Sequence, residues 1–119
     1  MDVENQLAVS LGKELLAHKQ TLSFAESCTG GLASSLVTDV AGSSEYLIGS
    51  IVTYTNEAKH NLLNVKQNTL DAYGAVSEET ACEMAQGVRE LFGSDYGVGI
   101  KGNAGPSGSK GKPVGLVYI

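Results

Sequence analysis

Basic residues are scarce in this 119-residue chain: 8 lysines and arginines stand against 13 acids, a formal net charge of −5. A nucleic-acid platform normally presents a basic face, so that class is set aside. Cysteine is limited to Cys28 and Cys82, too few for a disulfide framework or a thiolate metal site. His18 and His60 have no carboxylate or cysteine at metal-ligand spacing, so no metal and no cofactor is assigned. No apolar run approaches the ~20 residues of a membrane span, and the amino terminus lacks a signal peptide's apolar core. Repeats and linkers are missing too. What is present is a globular balance, 42% hydrophobic against 18% charged, with 15 glycines, nearly twice the usual share of about 7%. One soluble, cytoplasmic domain over residues 1–119 is expected.

Patterning then predicts the elements. Val3, Leu7, Leu11 and Leu15 recur every four residues and predict a helix burying that stripe. Residues 21–25 alternate as a short strand, followed by Glu26-Ser27-Cys28-Thr29-Gly30-Gly31 and an apolar helix ending near Gly42. A second strand covers 50–54, with a helix capped by Asn56 after it. Ser77 caps the clearest helix, whose first turn carries Glu78 and Glu79, where the helix dipole favours acids. Ala81, Met84, Ala85, Val88, Leu91 and Phe92 form its expected buried face, and Gly93 stops it. Residues 96–100 read as a third strand, 102–112 as a glycine-rich loop and 113–119 as a fourth, apolar strand. Strands alternating with helices predict an α/β domain around a largely parallel or mixed sheet. The last strand, with no helix to cover it, predicts a homo-oligomer.

Three stretches are candidates for chemistry. Ser27 and Thr29 lie in a strand-to-helix turn, where they either cap the helix or meet a ligand with its free N–H groups. Cys28 in the same turn has no partner that would activate it and reads as a structural thiol. Ser44, Tyr54 and Lys59 form the second set: a serine needs a base, and a lysine serves only if kept neutral by burial or a nearby cation. Spacing alone also fits a capping Ser44, a packed Tyr54 and a solvated Lys59. The third stretch, Lys101 to Lys112, could present amides and lysines Lys101, Lys110 and Lys112 to an anion, although it is no Walker loop.

The blocks Ala25–Gly31, Thr38–Ser44, Val52–Lys59, Gly74–Ala81, Ala104–Pro106 and Lys112–Gly115 resemble the CinA carboxy-terminal domain family, in order and over nearly the whole chain. The resemblance implies a three-layer α/β/α fold. It also implies an amidohydrolase in which a Ser/Lys pair, without metal, converts nicotinamide mononucleotide to nicotinate mononucleotide and ammonia. Carried over, the nucleophile falls on Ser44, the base on Lys59 and the active-site tyrosine on Tyr54, with Ser27 the competing nucleophile. Substrate contacts are expected from Ser27, Thr29, Gly30, Gly31, Lys101, Gly102 and Gly105, and the partner is a small pyridine nucleotide.

Two departures bear on activity. Lys101 replaces the family's hydroxyl, and the family's further strand and helix, with its phosphate-side arginine, lies beyond this sequence. The only arginine, Arg89, falls on the helix begun at Ser77. If its ammonium lies within about 6 Å of Lys59, Lys101 is expected to lower the Lys59 pKa; the same cation could instead fill the amide pocket, the favoured case, or pair with the substrate phosphate. The alternative function is an impaired paralogue serving as a nucleotide-binding or protein-interaction module.

Overall fold

A computed structural model describes residues 2–106 and 111–119. The elements in chain order are α1 (Val3–His18), β1 (Leu22–Glu26), α2 (Leu32–Thr38), a 3-10 turn (Ser43–Glu45), β2 (Leu47–Val52), α3 (Asn56–Leu63), α4 (Gln67–Tyr73), α5 (Glu78–Phe92), β3 (Tyr96–Gly102) and β4 (Val117–Tyr118). The sheet order is β2-β1-β3-β4, with β1 central and parallel to both β2 and β3, and β4 antiparallel to β3. The expected mixed α/β fold is therefore present.

Each face of the sheet has its own apolar cluster, because successive strand side chains point to opposite faces. Leu22, Phe24 and Ile100 join Leu15 of α1 and Val37 of α2 on one side. Ala25 meets Leu63 of α3, Leu70 of α4 and Met84 and Val88 of α5 on the other. Helices on both faces give the three layers.

Several local expectations change: the strand expected at 50–54 is Leu47–Val52, and Thr55, not Asn56, caps α3. The α1 stripe does not face the core: Val3 and Leu7 are 66% and 64% exposed, and of that set only Leu15 is buried. Small residues decide the packing instead, for Ala8, Gly12 and Leu15 form the buried side. A Cβ on Gly12 would lie 2.4 Å from the Tyr46 hydroxyl, so the missing side chain makes room for that ring. Helix α4 escaped the pattern reading because its seven residues hold little apolar periodicity. Leu91 of α5 is exposed while Met84 and Val88 are buried. The final strand is two residues, not seven, and Gly115 at φ +93° breaks the run. Of the predicted glycine-rich loop, residues 107–110, including Lys110, lie outside the described residues.

Helix α5 and strand β3 approach closely. A Cβ on Gly99 would sit 2.3 Å from the Ala81 carbonyl oxygen and 2.8 Å from the Ala85 nitrogen. Both are backbone atoms and cannot swing aside. Gly99→Ala is expected to cost about 1–3 kcal/mol of stability or more, the range for overpacking. Urea unfolding measures this, and an unchanged midpoint would contradict the close approach.

Candidate functional site

The carboxyl end of the sheet holds the polar residues. At the end of β1 two consecutive side chains leave in opposite directions, and both are fully buried: Glu26 toward α2 and Ser27 toward α3.

Glu26 organises the turn. Its carboxylate accepts hydrogen bonds from the Ala33 and Ser34 backbone N–H groups at 3.0 and 2.9 Å, and from the Thr29 and Ser34 hydroxyls. Burial pushes its pKa up, but these four donors outweigh burial and hold it below the ordinary carboxylate value. The first amides of α2 are thus occupied by the protein's own carboxylate. Thr29, expected to meet substrate, spends its hydroxyl on Glu26. Gly30 and Gly31 take φ of +65° and +107°, a reversal that side-chain-bearing residues rarely make.

Lys59 approaches from α3. Thr55 caps that helix, its hydroxyl accepting the Ala58 N–H at 3.1 Å, which fixes the first turn. Lys59 and Leu63, four residues apart, then share the inward face, 0% and 1% exposed. The Lys59 amine donates to the Thr53 carbonyl at 2.7 Å, the Tyr54 carbonyl at 3.0 Å and the Ser27 hydroxyl at 3.2 Å. Burial first, then the Lys101 cation, push its pKa from 10.5 down to about 8, while Cys28 opposes them. The expected effect of Lys101 is present, although burial is the larger cause.

This geometry has a chemical consequence. An ammonium has three N–H donors, and all three find oxygens here. When one proton leaves, the two carbonyls can only accept, so the remaining N–H groups stay on them. The lone pair then faces Ser27, whose hydroxyl becomes the donor. A neutral amine at hydrogen-bond distance from a hydroxyl is the arrangement that activates a serine.

Ser44 does not share this site. It is exposed in the 3-10 turn before β2, whereas Lys59 follows the other end of that strand. Six residues of β2 separate the two ends, roughly 20 Å at 3.3 Å per residue. The serine beside Lys59 is Ser27, and the expected Ser44/Lys59 pairing is corrected to Ser27/Lys59. Tyr54 contributes its carbonyl, while the residue as a whole is 73% exposed. Gly102 is buried against the Leu116 carbonyl and Val117, a packing role, and Gly105 turns the chain at φ +99°. Arg89 lies near Gly97, toward the opposite end of β3. Cys28 is half-buried against the apolar cluster under α1 and α2.

Sequence reasoning missed Glu26 and the Thr53 carbonyl. An acid directly before a Ser-x-Thr-Gly-Gly turn was the available signal for Glu26. Nothing in the sequence signals a carbonyl.

The model of the CinA C-terminal domain matches residues 4–119. The chain belongs to the CinA C-terminal domain family. A CinA-like protein of Desulforapulum autotrophicum is 59% identical over 110 residues, covering 92% of this chain and 26% of that protein. A putative competence-damage inducible protein of Desulforudis audaxviator is 52% identical over 111 residues, 92% of this chain and 27% of its own. The chain therefore spans about a quarter of the length of these curated relatives. Among solved structures, the competence/damage inducible protein CihA of Agrobacterium tumefaciens superposes with a TM-score of 0.94 at 42% identity, covering 98% of this chain and 72% of that one. A CinA superfamily protein of Escherichia coli gives 0.94 at 37% identity, covering 97% and 67%. The CinA C-terminal domain is related to the nicotinamide-nucleotide amidases.

The lowered Lys59 pKa predicts a stability signature. Between about pH 8 and 10.5 the unfolded chain binds more protons at this lysine than the folded chain does, so stability rises with pH in that window. Below about pH 8 both states hold the proton and the contribution is flat. Relative to Lys59→Met, the wild type should gain on the order of 2–3 kcal/mol between pH 7.5 and 10.5. Urea unfolding at both pH values checks it, and parallel changes in the two proteins would mean an unperturbed Lys59.

Proposed function

We propose that the chain is an amidase domain in which Ser27 is the nucleophile and Lys59 the general base, acting on the carboxamide of nicotinamide mononucleotide. The observation that carries this reading is the 3.2 Å contact between a buried amine and a buried hydroxyl, with two carbonyls fixing the amine's remaining protons. Kinship with the nicotinamide-nucleotide amidases supports the substrate.

In this reading neutral Lys59 takes the Ser27 proton as the hydroxyl oxygen bonds to the amide carbon. The carbonyl electron pair moves to its oxygen. When the tetrahedral intermediate collapses, Lys59 returns the proton to the nitrogen, the C–N bond breaks, and ammonia leaves an ester on Ser27. Water, deprotonated by Lys59, then attacks the ester carbon, and the same proton regenerates the serine while nicotinate mononucleotide departs. A pKa of about 8 suits this double duty, because the amine must both take and give a proton near neutral pH.

Ser27→Ala and Lys59→Met are each expected to lower ammonia release from nicotinamide mononucleotide by at least about 10³-fold, and the double variant no further. Ser44→Ala should retain wild-type turnover. Loss of activity in Ser44→Ala with retention in Ser27→Ala would reverse the assignment.

A further inference from the structure

Lys101 is the charged residue that this scheme leaves unused, and strand register places it. Glu26 pairs with Val52 on one side and Ile100 on the other, so Thr53, Ser27 and Lys101 follow as a row at the ends of three parallel strands. Two residues earlier in each strand, Ile51, Ala25 and Gly99 pack on the α5 side. Alternation therefore sends Thr53, Ser27 and Lys101 to that same side. Ser27 stands between two cations, Lys59 entering from the β2 side and Lys101 from β3, on strands about 4.8 Å apart.

The two lysines are held differently. Among the described residues, Lys59 has three oxygen partners, whereas the half-buried Lys101 ammonium has one hydrogen bond, to the Gly102 carbonyl at 3.2 Å. Among the described residues no carboxylate pairs with it. Glu26 leaves β1 on the other face and is engaged by α2. Glu57 in the first turn of α3, and Glu78 and Glu79 in that of α5, are exposed and form no ion pair with it. The ionisable groups that act on Lys59 are Lys101, which lowers its pKa, and Cys28, which raises it; Cys28 also acts on Lys101, and no carboxylate is among them. A half-buried cation without a counter-ion is costly to fold. In the strand register Lys101 is the neighbour of Ser27, whose attack on a carbonyl creates negative charge.

We propose that the Lys101 ammonium stabilises the oxyanion formed when Ser27 attacks its substrate, which makes this row a site for tetrahedral, negatively charged serine adducts. The inference rests on reading Ser27 as the nucleophile. In that step the Ser27 oxygen bonds to carbon, its proton passes to Lys59, the carbonyl pair becomes the oxyanion, and Lys101 keeps its proton and donates a hydrogen bond to that oxygen. A pre-placed donor of this kind acts where charge develops. The Gly102 contact uses one of the ammonium's three donors, and the proposed role stands in place of the expected filling of the amide pocket.

Pyridine-3-boronic acid tests the proposal, since boron accepts the serine oxygen, Lys59 takes the serine proton, and the product is a tetrahedral boronate anion. Boron-11 NMR and a binding titration on the intact chain should show the adduct in the wild type and its loss in Ser27→Ala. Affinity should fall about tenfold or more in Lys101→Thr and hold within about threefold in Lys101→Arg, which keeps the cation. Equal affinity of Lys101→Thr and wild type would overturn the proposal, as would the absence of a Ser27 adduct in the wild type. The substrate reading is separable. A Lys101-dependent adduct without ammonia release from nicotinamide mononucleotide keeps the oxyanion site and removes the substrate. Ammonia release with an unchanged kcat in Lys101→Thr keeps the substrate and removes the role of Lys101.

Discussion

A lysine amine with no exposed surface, bound to two carbonyl oxygens and one serine, is the interaction on which the site depends. Burying a charge is expensive, and proteins meet that cost either by pairing the charge or by letting its pKa move. Among the described residues no carboxylate pairs with Lys59, and its pKa moves. The carbonyls do not neutralise it; they fix its direction. Their supply comes from the strand itself, because Thr53 and Tyr54 follow the last residue of β2, where the chain turns into α3. The turn that ends the strand and the helix that follows it therefore jointly make the base.

A second constraint lies in strand alternation. Glu26 and Ser27 are adjacent, both buried, and point to opposite faces. The acid closes the start of α2 and so fixes the Cys28–Gly31 turn, while the serine is left for Lys59. A shift of one residue in β1 register would exchange them. It would put a carboxylate beside Lys59, and a Lys–Glu ion pair would hold the amine protonated. The match of Glu26 to both Val52 and Ile100 is what prevents this.

Much of this was legible before any coordinates. The alternation of strands and helices, the Ser77 cap of α5 and its Met84–Val88 face follow from periodicity and capping, which are local. The α1 stripe misled because leucine spacing shows that a face is apolar, and not that another element covers it; Gly12 admits Tyr46 and turns the helix by its smaller side. At the site, spacing alone fits a solvated Lys59 as well as a buried one; the structure turns it inward beside Leu63. Ser44 could not be told from Ser27 in sequence, since both are hydroxyls near glycine turns. What separates them is which end of β2 each occupies, a property of sheet topology. The two carbonyls that orient Lys59 carry no side-chain signature at all.

The claim that a neutral Lys59 activates Ser27 is tested most directly by labelling with an aryl sulfonyl fluoride. The pH dependence of the rate is measured, and the modified residue is located by peptide mass spectrometry. The account predicts a single sulfonylated serine, Ser27, with a rate that rises as Lys59 loses its proton and has its midpoint near pH 8. Label on Ser44, or a Ser27 rate that does not change between pH 6.5 and 9.5, would contradict it.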